Sequence, residues 1–238
     1  MPLARKPEQK LDRLFIVRQA FAVLNEAGLE GLTLRRLASR LGVQAPALYW
    51  HFKSKQDLLD EMAAEVLRQS IVKNLALDAI EDWTEWARAY YNSLRKTLLE
   101  YRDGAKMFSG TYLTDAALYA PMEASLRRLT DAGFTLRQAV VGLGALYSYT
   151  IGFVIEEQAT ELAPSEPNPQ YDLATRDKRI DKKRYPLAAA AGREIFFAHD
   201  ARFTEGIALV VAGMAASNRT GIAASKARAN GSRPGKSR

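Results

Sequence analysis

Cysteine is absent from all 238 residues. That excludes a disulfide framework, a thiol nucleophile and a thiolate-held metal. Histidine is nearly absent too, with His51 and His199 the two present, and no glycine-rich phosphate loop accompanies them. A serine-lysine spacing occurs at Ser70 and Lys73 but lacks the partner motifs that would make it catalytic. With no converging acid-base set, an enzyme is not expected, and neither a cofactor nor a metal is implied. No apolar run approaches the roughly 20 residues of a spanning helix, and the start MPLARKPEQKLDR lacks the apolar stretch of a signal peptide. The expectation is a cytoplasmic protein without a membrane partner. Alternating strand patterns are missing as well, so the fold class predicted is all-α.

What is present is charge, unevenly placed. Residues 1–56 hold 10 Lys+Arg against 4 Asp+Glu and residues 218–238 hold 6 against none, while residues 57–217 carry a net −5 of the overall +7. Basic ends flank an acidic body, which focuses attraction for a phosphate backbone on the N-terminal module. Three regions are expected: a DNA-binding domain over 1–56, a larger helical domain over 57–217, and a disordered basic tail over 218–238, which has few large apolar residues.

The N-terminal module is legible in LTLRRLASRLGVQAPALYWHFKSK, residues 32–55. Thr33 is placed to cap a helix whose Leu34, Leu37, Ala38 and Leu41 share one face. Gly42 then supplies the left-handed turn, Val43 the plug between two helices, and Pro46 the start of the second helix, where its missing N–H costs nothing. This is a helix-turn-helix. Its second helix shows small side chains for base edges and cations for phosphates in Gln44, Ala45, Ala47, Tyr49, Trp50, His51, Lys53 and Lys55. Tyr49 and Trp50 would otherwise be core aromatics. With Thr33, Arg35, Arg36 and Pro46, and without Lys53, these residues form the candidate DNA contacts.

The segments LGVQAPALYWHFKSKQDLLD, YRDGAKMFSGT, AGFTL and IGFVIEEQ together resemble the tetracycline-repressor (TetR) family of bacterial transcription factors, and within it the tetracycline repressors, across roughly residues 11–217. The resemblance implies a homodimer, formed where helices around 135–158 and 203–217 pair with their counterparts in a four-helix bundle. It also implies a palindromic double-stranded operator and a small-molecule effector in the C-terminal domain.

Helix signals continue along the body. Ser54 with Asp57 opens a fourth helix leading out of the DNA module, Asp82 with Glu85 opens another carrying Trp83, Trp86, Tyr90, Leu94 and Leu98, and Thr135 with Gln138 is a full capping box. The helix after Thr135 is apolar nearly all round, and its Gly142, Gly144 and Gly152 suggest close approach by a neighbouring backbone, the obvious neighbour being a second copy. Residues 163–186, with four prolines and dense charge, are expected to form a long mobile loop with a short charged helix, a lid or a plain connection.

The resemblance also implies where the effector sits, and here the chain departs from its family. Tetracycline repressors hold a magnesium-drug chelate through an imidazole, amide groups and a glutamate. Phe108 stands at the metal-binding imidazole position, Tyr90 at an amide position, Leu94 at a neighbouring Phe and Ile71 at another histidine, while Thr111 and Glu156 match. Phenyl and isobutyl groups offer no lone pair to a hard cation. Tyr90, Leu94, Phe108, Tyr112, Met122, Leu143 and Tyr147 instead suggest an aromatic-lined cavity suited to a lipophilic or aromatic molecule. The expected function is a ligand-responsive repressor. An activator of the same fold, or a repressor sensing a tetracycline-like drug in another way, remains open.

Overall fold

The computed structural model describes residues 11–112, 115–163 and 166–231. The described residues form eleven α-helices, a few 3-10 turns and one two-stranded hairpin. Helix α1 (Arg13–Gly31) is capped by the Asp12 carboxylate, which accepts from the Phe15 amide at 2.8 Å, and buries Ile16, Val17, Ala20, Phe21, Val23 and Leu24 on one side. Gly28, at φ 70°, breaks it in the left-handed region. Helix α2 (Leu34–Leu41) starts with the Thr33 hydroxyl accepting from the Arg36 amide and ends at Gly42, φ 67°. Helix α3 (Ala45–Tyr49) begins with Pro46 in its first turn and buries Leu48 alone. Every cap expected in this module is present, because each depends on neighbours within about four residues.

Helix α4 (Lys55–Asn74), opened by the Ser54 hydroxyl accepting from the Asp57 amide, joins the reader to the body. It packs on α5 (Trp83–Leu99) and α6 (Gly104–Phe108). The reader is also tied at its far corner, where the Asp103 carboxylate accepts from the Leu29 amide at 2.9 Å and the Arg102 amide donates to Asn25. Helix α7 (Tyr119–Asp131) carries Pro121 in its first turn, where no intrahelical N–H is lost. Helix α8 (Leu136–Ala159) has the capping box at Thr135 and Gln138 with both reciprocal bonds formed.

By length and composition α8 could cross a membrane, which corrects the expectation that no segment qualifies. In this fold it is the central packed helix, touching α5, α6, α7 and the final helix. After a short antiparallel hairpin, β1 (Glu161–Ala163) with β2 (Glu166–Pro167), come α9 (Leu173–Asp177) and α10 (Pro186–Phe196). The span expected as one long loop therefore holds a hairpin, a 3-10 turn and the short charged helix α9.

The final helix α11 runs from His199 to Gly231. Residues 218–231, expected to be disordered, are helical, while 232–238 lie outside the described residues. Poverty in large apolar residues argues against a core of their own, but the alanines of GIAASKARA favour continuing a helix already nucleated upstream. At the centre of the body Arg95 is buried and bridges three helices, giving N–H bonds to Glu157 at 2.5 and 2.8 Å and to Asp200 at 2.7 Å. Burying that charge is tolerable because it is paired on both sides.

Candidate DNA-reading surface and effector chamber

Helix α3 presents its large side chains to solvent. Trp50 is 90% exposed and Tyr49 54%, while Leu48 and Phe52 beside them are fully buried. A core role for Tyr49 and Trp50 is thereby excluded. Thr33, Arg35, Arg36, Gln44 and Pro46 are exposed, and Ala45, Ala47 and His51 are half-buried on the same module. Lys55 departs from the expected pattern: its ammonium donates to the Leu29 carbonyl at 2.7 Å and is partly buried, so it braces α1 against α4 with one of its three N–H groups. Arg13, which pattern reading passed over, donates to the His51 carbonyl and lies over the Phe52 ring at 4.3 Å from its centroid, holding the end of the reading helix.

In the body, α4, α5, α6, α7 and α8 line a partly open cavity of about 340 Å³. Six of the nine expected ligand residues line it: Tyr90, Leu94, Phe108, Met122, Leu143 and Tyr147. The other three do not. Thr111 turns its hydroxyl back to the Phe108 carbonyl at 2.7 Å. Tyr112 is 75% exposed and its amide donates to Asp60. Glu156 is exposed and faces a separate groove beside Tyr149, Gly152 and Phe153. The cavity instead gains Leu67, Tyr91, Leu118, Tyr119, Ser125 and Asp115. Leu67 comes from α4, Tyr91 from α5, Asp115 and Leu118 from the segment before α7, and Tyr119 and Ser125 from α7 itself, and their meeting depends on tertiary contacts that periodicity does not encode.

Burial pushes the Tyr90, Tyr91 and Tyr147 hydroxyls above the usual phenol range, so they stay protonated donors. The Tyr91 hydroxyl donates to the Leu143 carbonyl at 3.1 Å, and Tyr90 stacks on Trp86 with centroids 5.4 Å apart. A magnesium chelate does not fit this lining. No imidazole lines it, its single carboxylate, Asp115, is ion-paired with Arg68 at 3.0 Å, and no cluster of metal-binding side chains occurs among the described residues. The serine-lysine spacing also dissolves. Ser70 accepts from Asn74, whereas Lys73 pairs with Glu100 at 2.7 Å.

The remaining feature is an apolar face. Val141, Gly144, Ala145, Ser148 and Gly152 on α8 and Leu209, Ala212 and Gly213 on α11 are exposed, and among the described residues nothing would lie within 4 Å of a Cβ added at Gly144, Gly152 or Gly213. Gly142 differs, since Met214 of α11 would lie 2.4 Å from such an atom. A side chain there would displace the end of Met214 within one chain, whereas one at the other three would displace none of the described residues.

A helix-turn-helix reader joined by one long helix to a predominantly helical body with an apolar chamber defines a ligand-responsive DNA-binding regulator. Two sequence profiles match, bacterial regulatory proteins of the tetR family over residues 16–62 and the tetracycline repressor-like C-terminal domain over 77–218. The tetracycline repressor protein class C of Escherichia coli is 39% identical over 207 residues, 86% of this chain and 91% of that protein. A possible TetR family regulator from Streptomyces coelicolor A3(2) superposes with TM-score 0.76 at 36% identity, covering 87% of this chain and all of that one. A single-residue variant of TetR from Acinetobacter baumannii AYE, solved in complex with minocycline, gives TM-score 0.65 at 30% identity over 88% and 99%. The chain belongs to the TetR family, and within it is similar to the tetracycline repressors. Ligand-responsive repression through operator DNA is that family's function, and its members act as dimers.

Proposed function

We propose that this chain is a homodimeric repressor that grips a palindromic operator through residues 1–56 and releases it when a lipophilic or aromatic molecule fills the chamber in residues 57–217. The observation that carries this reading is that α4, which starts at the reader, supplies Leu67 and Ile71 to the chamber wall. Two reading helices must sit roughly 34–36 Å apart to enter successive major grooves, so a small swing of α4 is enough to lose affinity. An effector with unequal affinity for the two spacings shifts the balance between them. Acting on operator DNA, the protein works in the cytoplasm and catalyses nothing.

The candidate DNA contacts are Thr33, Arg35, Arg36, Gln44, Ala45, Pro46, Ala47, Tyr49, Trp50, His51 and Lys55, the last through its two remaining N–H groups. Ala45 stands where the tetracycline repressors carry a base-reading glutamine, so the operator differs from theirs, and Ala45→Gln alters base preference. Gel-shift titration of a palindrome from beside the gene tests the reading. Affinity for it at least about a thousandfold above random DNA is expected, and equal affinity for both overturns it.

A further inference from the structure

The chamber does not end at Tyr90. Ile71, Tyr90, Pro121 and Ser125 line both the first cavity and a second lobe of about 510 Å³, so the two lie side by side with these four residues as the waist between them. The second lobe is walled by Trp86, Asn74 and Asp78 and by two cations, Arg68 and Arg128. These cations are in different states. Arg68 is neutralised by Glu61, Glu65 and Asp115. Arg128 has no carboxylate within 4.0 Å among the described residues.

The Arg128 guanidinium lies over Trp86, 5.1 Å from the ring centroid, and gives N–H bonds to the Ile80 carbonyl and, at 3.2 Å, to the Asp78 carbonyl. A guanidinium carries five donors in a planar fork, so others remain for a ligand, and that fork suits a carboxylate or sulfonate. Asp78 is the one carboxylate in this lobe, and its side chain is exposed. Across the waist the walls are Leu94, Phe108, Leu143 and Tyr147, which accept a flat apolar body and not a charge.

We infer that the effector is an anionic amphiphile, its aromatic body in the first lobe and its carboxylate or sulfonate on Arg128. This rests on the effector-chamber reading above. A role for Arg128 confined to capping the 3-10 turn at residues 75–79 would need only its carbonyl bonds and would give no preference for an anion.

The test uses the full chain and two fluorescent probes that share an aromatic body, anilinonaphthalene sulfonate and uncharged phenylnaphthylamine. In the unmodified protein the sulfonate binds at least about tenfold more tightly than the amine, as one charge-assisted bidentate contact supplies. Arg128→Gln removes that difference and leaves the amine unaffected, Arg128→Lys keeps part of it, and Ser125→Trp, which fills the waist, weakens both probes. Equal affinity for the two probes in the unmodified chain, a measurement that needs no variant to fold, overturns the inference and leaves the chamber standing. So does a sulfonate preference that survives Arg128→Gln. Binding of neither probe, or binding that Ser125→Trp leaves unchanged, overturns the chamber reading and the inference with it.

Discussion

The Asp115 carboxylate, on the wall of the effector chamber, pairs with Arg68 of α4 at 3.0 Å. Arg68 also holds Glu61 at 2.5 Å, Glu61 lies 3.1 Å from Arg13, and Arg13 donates to the His51 carbonyl at the end of the reading helix. A chain of ion pairs thus links the chamber to the DNA reader along α4. These side chains are about one-third exposed, so each pair contributes little to stability, below about 1 kcal/mol. Their value is positional.

Asp115→Asn therefore leaves operator affinity and melting temperature close to those of the unmodified protein. It raises the effector concentration needed for half release by about threefold or more, the lower part of the range for a coupling residue. Effector-titrated gel shifts measure this, and an unchanged release midpoint would show that Asp115 carries no coupling.

Trp50→Ala separates reading from folding. With the side chain 90% exposed, its removal changes stability by no more than about 0.5 kcal/mol. Operator affinity falls at least about tenfold, which fluorescence anisotropy on labelled DNA and a melting curve on the same sample measure together. A large drop in melting temperature would mean that Trp50 packs after all.

Leu209 of α11 is 75% exposed, and Val141 of α8, which packs against α11, is exposed as well. Leu209→Arg places an unpaired charge where a second copy would bury it, a change that costs about 3 kcal/mol or more at such a site. Sedimentation is expected to show monomers that still fold, with operator binding lost because two half-sites are read together. A dimer that persists would move the interface elsewhere.

Alkaline titration probes the chamber directly. Burial raises the folded-state pKa of Tyr90, Tyr91 and Tyr147, so the folded protein holds protons that the unfolded chain releases near pH 10. Their contribution is complete below that value and is lost as pH rises toward the folded pKa values. Part of the tyrosinate absorbance should therefore appear only together with the loss of helical circular dichroism. A rise finished before unfolding would place these hydroxyls in water.

The caps at Thr33, Ser54, Asp82 and Thr135, the left-handed turn at Gly42 and the binary pattern of α2 and α5 were legible from residues alone, since each is settled by partners three or four positions away. Phe108 and Leu94 were legible as the loss of a chelate because a side chain's donor atoms are its own. Tertiary structure decided what depends on distant segments meeting. It set Tyr112 and Thr111 outside the chamber, turned Lys55 toward Leu29, brought Asp115 to Arg68 and, among the described residues, left Arg128 without a carboxylate within 4.0 Å. The physical reason is range: a cap or a turn is closed by backbone geometry within one turn of helix, whereas the walls and charges of a chamber are fixed only when five helices pack against one another.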